Sequence, residues 1–239
     1  SFFERLHSQL PASSKYFLSE QFRMPRDIGN LVGEMFYKNA DGLTILTNGQ
    51  IKDESNFLFS EAIAWIDVPG AQEQEGTSKK NMHEVTAITD FIRTMKAKGT
   101  DRKNIEVAII TPYSAQRRAI RKAVSKISDS TNDGVYNVGS LNIKIDTVDS
   151  FQGSEADIVL YSVVRTKGDL SFILDWRRLN VACSRAKENL FFFGHIQFLR
   201  HKRVQDEERN LFFEILSRIP KENCWISSHL KNIAISTAN

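Results

Sequence analysis

The sequence predicts an α/β fold: a doubly wound, mostly parallel sheet with helices on both faces. Three observations carry that expectation. Helical and strand-like patterns alternate along the chain. Several strand candidates, such as Ile105 to Thr111 and Leu190 to Phe193, are short continuous apolar runs of the kind that a sheet covered on both faces requires. The helical segments between them each carry one apolar stripe.

Taken in order, Pro25 to Tyr37 places Ile28, Leu31, Val32, Met35 and Phe36 on one helical face. Ala40 to Ser60, with Gly42 and Asn48-Gly49, reads as turns and loop before a strand over Ala62 to Val68, which Pro69-Gly70 ends. Gly70 to Lys80 is polar throughout and reads as a mobile loop. Asn81 with Glu84 three residues on resembles a capping pair, opening a helix to about Gly99 whose stripe is Val85, Ile88, Ile92 and Met95. Pro112 stops the strand from Ile105, and a basic amphipathic helix follows from about Ser114 to Ile127 with Arg117, Arg118 and Arg121 outward. Ser128 to Asn142 reads as loop. Ile143 to Val148 and Ile158 to Val164 read as strands, Asp175 to Ala186 as a helix, Leu190 to Phe193 as a buried strand, and about Val204 to Arg218 as a last helix. Doubly wound sheets place ligands beyond the carboxyl ends of their strands, which directs attention to the segments after Ile110, Val148, Val164 and Phe193.

Composition sets the outer bounds. An apolar fraction of 41% and a charged fraction of 26% are ordinary for a globular chain, and 239 residues suit one domain, expected over 1–225 with 226–239 as a tail. No apolar run approaches the roughly 18 residues of a membrane span, so no membrane partner is expected. The opening Ser1-Phe2-Phe3 reads as the middle of a longer protein. Cys183 and Cys224 are too few for a disulfide framework and lack zinc-ligand spacing, which suggests a reducing intracellular compartment, cytoplasmic or nuclear. No metal site is expected within the chain itself. The net charge of +3 announces nothing alone, because basic residues act on nucleic acid only when clustered. None of the twelve glycines precedes a lysine, so Gly-x-x-x-x-Gly-Lys-Ser/Thr is absent and the chain has no phosphate loop of its own. The absence of Gly-x-Gly-x-x-Gly after a strand argues against a dinucleotide-dependent oxidoreductase, and the five histidines show no catalytic spacing.

Four segments carry the chemistry: Gln21-Phe22-Arg23-Met24-Pro25, Ile110 to Gln116, Thr147 to Glu155, and Arg177 to Ala186. In this order and at these separations they resemble motif IV, a threonine-proline-tyrosine segment, motif V and motif VI of superfamily 1 helicases of the up-frameshift and senataxin type. Ser1 to Leu6 is similar to the family's segment after motif III. The resemblance spans roughly residues 1 to 200. It implies a RecA-like second motor domain, of phosphate-loop NTPase type but without the loop, working with a first RecA-like domain upstream that binds most of the ATP and Mg²⁺.

A guanidinium suits such a motor because it is permanently charged and its fixed donors match phosphate oxygens. The resemblance implies that Arg23 and Arg185 act as arginine fingers on the γ-phosphate, that Phe22 stacks on adenine, and that Gln21, Gln152, Gly153 and Glu155 contact the nucleotide. Phe22 stands where the up-frameshift branch carries tyrosine, and Ser154 and Lys187 stand where many relatives carry arginine. Thr111, Pro112, Tyr113, Thr147, Val148 and Arg165 are expected to contact single-stranded RNA or DNA largely through its backbone, with the basic helix as a candidate groove wall or an ordinary solvated surface. Asp53-Glu54 and Asp206-Glu207 follow no apolar strand and read as surface charge. The isolated chain is expected to be inactive. The alternative is a diverged, non-catalytic module that docks nucleic acid or protein.

Overall fold

A computed structural model describes residues 5–6, 9–16, 18–39, 41–49, 54–98, 101–151, 153–202 and 209–230, the side chain of Ala12 excepted. Its strands are β1 (Glu20–Gln21), β2 (Thr47–Asn48), β3 (Ile63–Asp67), β4 (Glu73–Glu75), β5 (Ser78–Lys80), β6 (Ile105–Thr111), β7 (Ser130–Asn132), β8 (Val135–Val138), β9 (Leu141–Thr147), β10 (Ala156–Ser162), β11 (Ala186–Gly194) and β12 (Cys224–Ile226). The helices are α1 (Arg26–Phe36), α2 (Met82–Lys98), α3 (Ser114–Val124), α4 (Trp176–Cys183), α5 (Ile196–His201) and α6 (Leu211–Arg218). Eight strands form one sheet in the order β12-β3-β11-β10-β6-β9-β8-β7, parallel from β12 to β9 and antiparallel over β8 and β7. The α/β class with a mostly parallel sheet is therefore as the sequence predicts.

Strand periodicity explains the layers, since successive side chains point to opposite faces. Val107 and Ile109 of β6 and Phe191 and Phe193 of β11 pack with Ile88 and Phe91 of α2 and Ile120 of α3. Ala108 and Ile110, Leu190 and Phe192 face the other way and pack with Ile28 of α1, Leu179 of α4, Leu199 of α5 and Phe212 of α6. Both faces of the central strands are thus covered, as their unbroken apolar character requires. On one side Trp65 stacks on Phe192 with centroids 5.2 Å apart and donates its indole N–H to the Gly194 carbonyl at 2.9 Å. On the other, Phe191 meets Phe59 and Phe91 edge to face, each at 5.0 Å.

Two of the misread stretches are polar segments. Residues 70–80 contain the β4–β5 hairpin, tied by Lys80 to Glu75 at 2.9 Å, and 128–142 contain β7, β8 and the start of β9. The hairpin buries no apolar face, and in 128–142 only Tyr136, Val138 and Leu141 pack on the core, too short an alternation to stand out among polar neighbours. The basic helix ends at Val124, and α6 begins at Leu211, while 203–208 lie outside the described residues. The boundary drawn at 225 falls inside β12, where Ile226 pairs with Asp67, and Leu230 beyond it is buried in the core. Among the described residues no helix is long and apolar enough to cross a membrane.

Phe191→Ala is expected to cost about 3–5 kcal/mol of unfolding free energy, whereas Phe213→Ala, on a ring 45% exposed, should stay within roughly 0.5 kcal/mol. Urea titrations showing equal losses would contradict the placement of the core.

Candidate functional site

The two arginines named by the sequence meet at one rim, at the amino-terminal ends of β10 and β11. Arg23 sits in the turn between β1 and α1, and Arg185 directly follows α4 and its C-cap Ser184. Arg23 Nε donates to Glu155 Oε2 at 2.9 Å and Nη1 to the Ser184 carbonyl at 3.0 Å. Arg185 donates from Nε to the Val181 carbonyl at 3.0 Å and from Nη1 to the Ser154 carbonyl at 2.8 Å. Burial first, and the Arg23 charge second, hold the Arg185 guanidinium below its ordinary pKa. Two cations therefore share the rim with Glu155, whose side chain is half exposed. An incoming anion would relieve their repulsion, and each guanidinium presents directional donors for phosphate oxygens.

Gln21 shapes the turn and does not face outward. Its Oε1 accepts from the N–H groups of Arg23 at 3.1 Å and Met24 at 2.7 Å, and its Nε2 donates to the Met24 carbonyl and to Asn48 Oδ1. The expected nucleotide contact from this side chain thus becomes a positioning role, because all its polar capacity is engaged locally. Close packing needs glycine twice: a Cβ at Gly29 would lie 2.6 Å from Gln21 Nε2, and one at Gly49 would lie 2.4 Å from the Phe22 ring. Phe22 packs against Gly49 while remaining 61% exposed, so much of its ring stays open to solvent. Gly153 has φ +84° with open space beside it, so the left-handed turn demands glycine there, and close approach by a neighbour does not. Gln152 lies outside the described residues.

The expected nucleic-acid residues gather at the opposite end of the sheet. Beyond the carboxyl ends of β6, β9 and β10 lies a cleft of about 540 Å³ whose lining includes Pro112, Tyr113, Thr147 and Arg165. Thr111 and Val148 do not line it; both are buried, and the Thr111 hydroxyl faces the Tyr113 N–H. The Thr147 N–H donates to Asp146 at 2.8 Å, leaving its hydroxyl, near Ser150, on the cleft side. Arg165 is 6% exposed, donates from Nη2 to the Asp169 carbonyl, and has an Nε without a hydrogen-bond partner among the described residues. Three cations of the basic helix are engaged within the domain: Arg117 and Arg121 grip Asp146, and Arg118 grips Glu75. Of the four strand ends predicted to matter, the one after Phe193 leads into α5, with His195 as its cap and Asp67 accepting the Ile196 N–H.

Sequence reasoning missed a buried polar cluster behind this cleft. Glu84 accepts from Ser162 Oγ at 2.6 Å and from the Val164 N–H at 2.9 and 3.0 Å. Gln116 donates to Ser162 Oγ at 2.9 Å and accepts the Asn81 N–H at 2.8 Å. Asn81 does cap α2 through its Oδ1, but Glu84 turns inward and leaves the reciprocal half of the capping box to Gln116. Val164 sits at φ +72°, a strained value for a β-branched residue, immediately before Arg165. The capping-pair signal located Glu84 but could not show which way its carboxylate points.

The mostly parallel sheet is covered on both faces, and the segments that resemble those of a superfamily 1 helicase lie at its two ends. The AAA domain family matches residues 1–197, and the chain belongs to that family, in its up-frameshift and senataxin branch. It is 32% identical over 229 residues to the helicase sen1 of Schizosaccharomyces pombe, covering 92% of this chain and 13% of that protein. To an uncharacterized ATP-dependent helicase of Methanocaldococcus jannaschii it is 29% identical over 218 residues, covering 86% of this chain and 30% of the relative. The solved carboxyl-terminal domain of a possible DNA helicase from Lactobacillus plantarum aligns over 87% of this chain and 99% of its own at 13% identity and a TM-score of 0.45. The chain spans less than a third of either sequence relative.

Burial pushes the Glu84 carboxyl from 4.5 up to about 8, outweighing the donors at Ser162 and Val164. The folded state then keeps a proton that the unfolded chain releases, so stability is greatest below about pH 4.3 and falls as pH rises through about 8, by on the order of 5 kcal/mol. Glu84→Gln should flatten that slope between pH 5 and 8.5. Identical pH dependence of the denaturation midpoints in the two proteins would show that Glu84 is not its source.

Proposed function

We propose that this chain is the second motor domain of an ATP-dependent helicase or translocase, in which Arg23 and Arg185 reach the terminal phosphate of ATP held chiefly by a first RecA-like domain. The observation that carries the reading is the convergence of both guanidiniums on one rim beside Glu155, from segments far apart in the sequence. Placed against a transferring phosphoryl group, they stabilise the charge that spreads over its oxygens. Phe22 offers its exposed face to adenine, and Glu155 with the Gly153 turn lies where ribose or nucleotide-side water would be met; Gln152 is assigned the same side by resemblance. Mg²⁺ bound with ATP is assigned to the first domain by resemblance. There the ion would neutralise phosphate charge.

Single-stranded RNA or DNA is assigned to the cleft through Pro112, Tyr113, Thr147 and Arg165, with Thr111 and Val148 supporting its floor from within. The two ends are joined by α4: Arg178 near its start pairs with Asp149 at the cleft, and Arg185 just past its end stands at the rim. Eight helical residues span about 12 Å, so a shift felt at one end is delivered to the other by a rigid element. That arrangement suits an ATP-driven ratchet on a single strand.

In the polypeptide carrying both motor domains, Arg23→Ala and Arg185→Ala are each expected to lower kcat for nucleic-acid-stimulated ATP hydrolysis by roughly 10³-fold or more, with strand affinity retained. Near-normal turnover in both variants would end the finger assignment and favour a non-catalytic docking module.

A further inference from the structure

The strand-end cleft holds more than the family segments account for. Phe172 stands on a 3-10 turn, Ser171–Ile173, and half of its surface is exposed at the cleft. The turn is firmly held: Leu170 and Ile173 are buried on either side, and the Asp169 carboxylate accepts from the Ser171 N–H and hydroxyl. The Phe172 ring centroid lies 5.2 Å from that of Tyr113, and the Arg178 guanidinium lies 5.3 Å from the Phe172 ring. Facing them is the β4–β5 hairpin, docked on α3 by the Ala115 N–H to Ser78 Oγ at 3.1 Å and by Arg118 to Glu75. It sets Lys79 Nζ 6.0 Å from the Tyr113 ring centroid.

We propose that this cleft is a one-nucleotide subsite in which a base stacks on Phe172 and its phosphate lies between Lys79 and Arg165. The inference deepens, and rests on, the reading of the cleft as the single-strand path. The buried Arg165 Nε, a charged donor without a partner, is an independent sign that an acceptor belongs there. Of the two acidic residues of the lining, Asp149 pairs with Arg178, and the Asp169 carboxylate, which stays charged, accepts from Ser171 and lies near the Arg165 cation. The lining contains no Asn or Gln to read a base edge. An aromatic face accepts any base, and cations read only the backbone, so the subsite takes a single strand of any sequence.

The test compares two probes of equal charge, a twelve-nucleotide oligothymidine and a twelve-unit abasic strand, titrated by fluorescence anisotropy against the 239-residue chain at low salt. The wild-type chain is expected to prefer the thymidine strand. Phe172→Ala should reduce that preference by roughly 10-fold, and Phe172→Trp should restore it, which a folding defect would not do. Lys79→Ala should weaken both probes alike and reduce the salt dependence of binding by about one phosphate contact. An unchanged preference in Phe172→Ala, with binding that still requires Arg165, overturns the stacking platform while leaving the single-strand path intact. Unaltered affinity and salt dependence in Lys79→Ala overturns the phosphate contact. Failure of the wild-type chain to bind either probe overturns the path itself, and the subsite with it.

Discussion

A sheet buried on both faces leaves only its two ends open, and that constraint arranges everything else in this domain. The side chains of β6, β10 and β11 are almost wholly consumed by the two cores, so groups able to meet a ligand must come from the segments that enter and leave those strands. The chain uses both ends. Leaving segments build the cleft around Tyr113 and Arg165, and entering segments bring Arg185 and Glu155 to the rim. Because α4 must return from one end of the sheet to the other to begin β11, the connection that parallel pairing requires is also the shortest physical link between the two places.

Charge at the two ends is managed differently. At the rim, Arg23 and Arg185 lie close enough for one to depress the other, with a half-exposed carboxylate only partly compensating. Like charges held together by backbone carbonyl acceptors form a site that favours a polyanion. Around α3 both guanidiniums bond the carboxylate directly: Arg117 and Arg121 share Asp146, whose own burial works against ionisation but is outweighed by these and other hydrogen-bond partners, leaving its pKa lowered.

The buried cluster of Glu84, Asn81, Gln116 and Ser162 links α2, α3 and the end of β10, and it holds the left-handed backbone at Val164 that turns Arg165 toward the cleft. Strain at one residue is tolerable where several hydrogen bonds over-determine its position. The edge hairpin β4–β5 gains its order in a similar way, from Ser78 and Glu75 contacts to α3 and not from any apolar face.

Much of this was legible in the linear chain. Apolar periodicity is a local record of burial, so α1, α2, β3, β6 and β10 could be read from residues such as Ile28, Ile88 and Ile109 alone, and the ordered segments around Arg23 and Arg185 identified the helicase family. The polar architecture was not legible. Whether Gln21 faces a ligand or its own turn, whether Arg117 is free or paired, where Glu84 points, and that Phe172 stands opposite Lys79 all depend on partners distant in sequence. Hydrophobic burial repeats with the geometry of the element that carries it, while a hydrogen bond or ion pair exists only once the tertiary fold has brought donor and acceptor together.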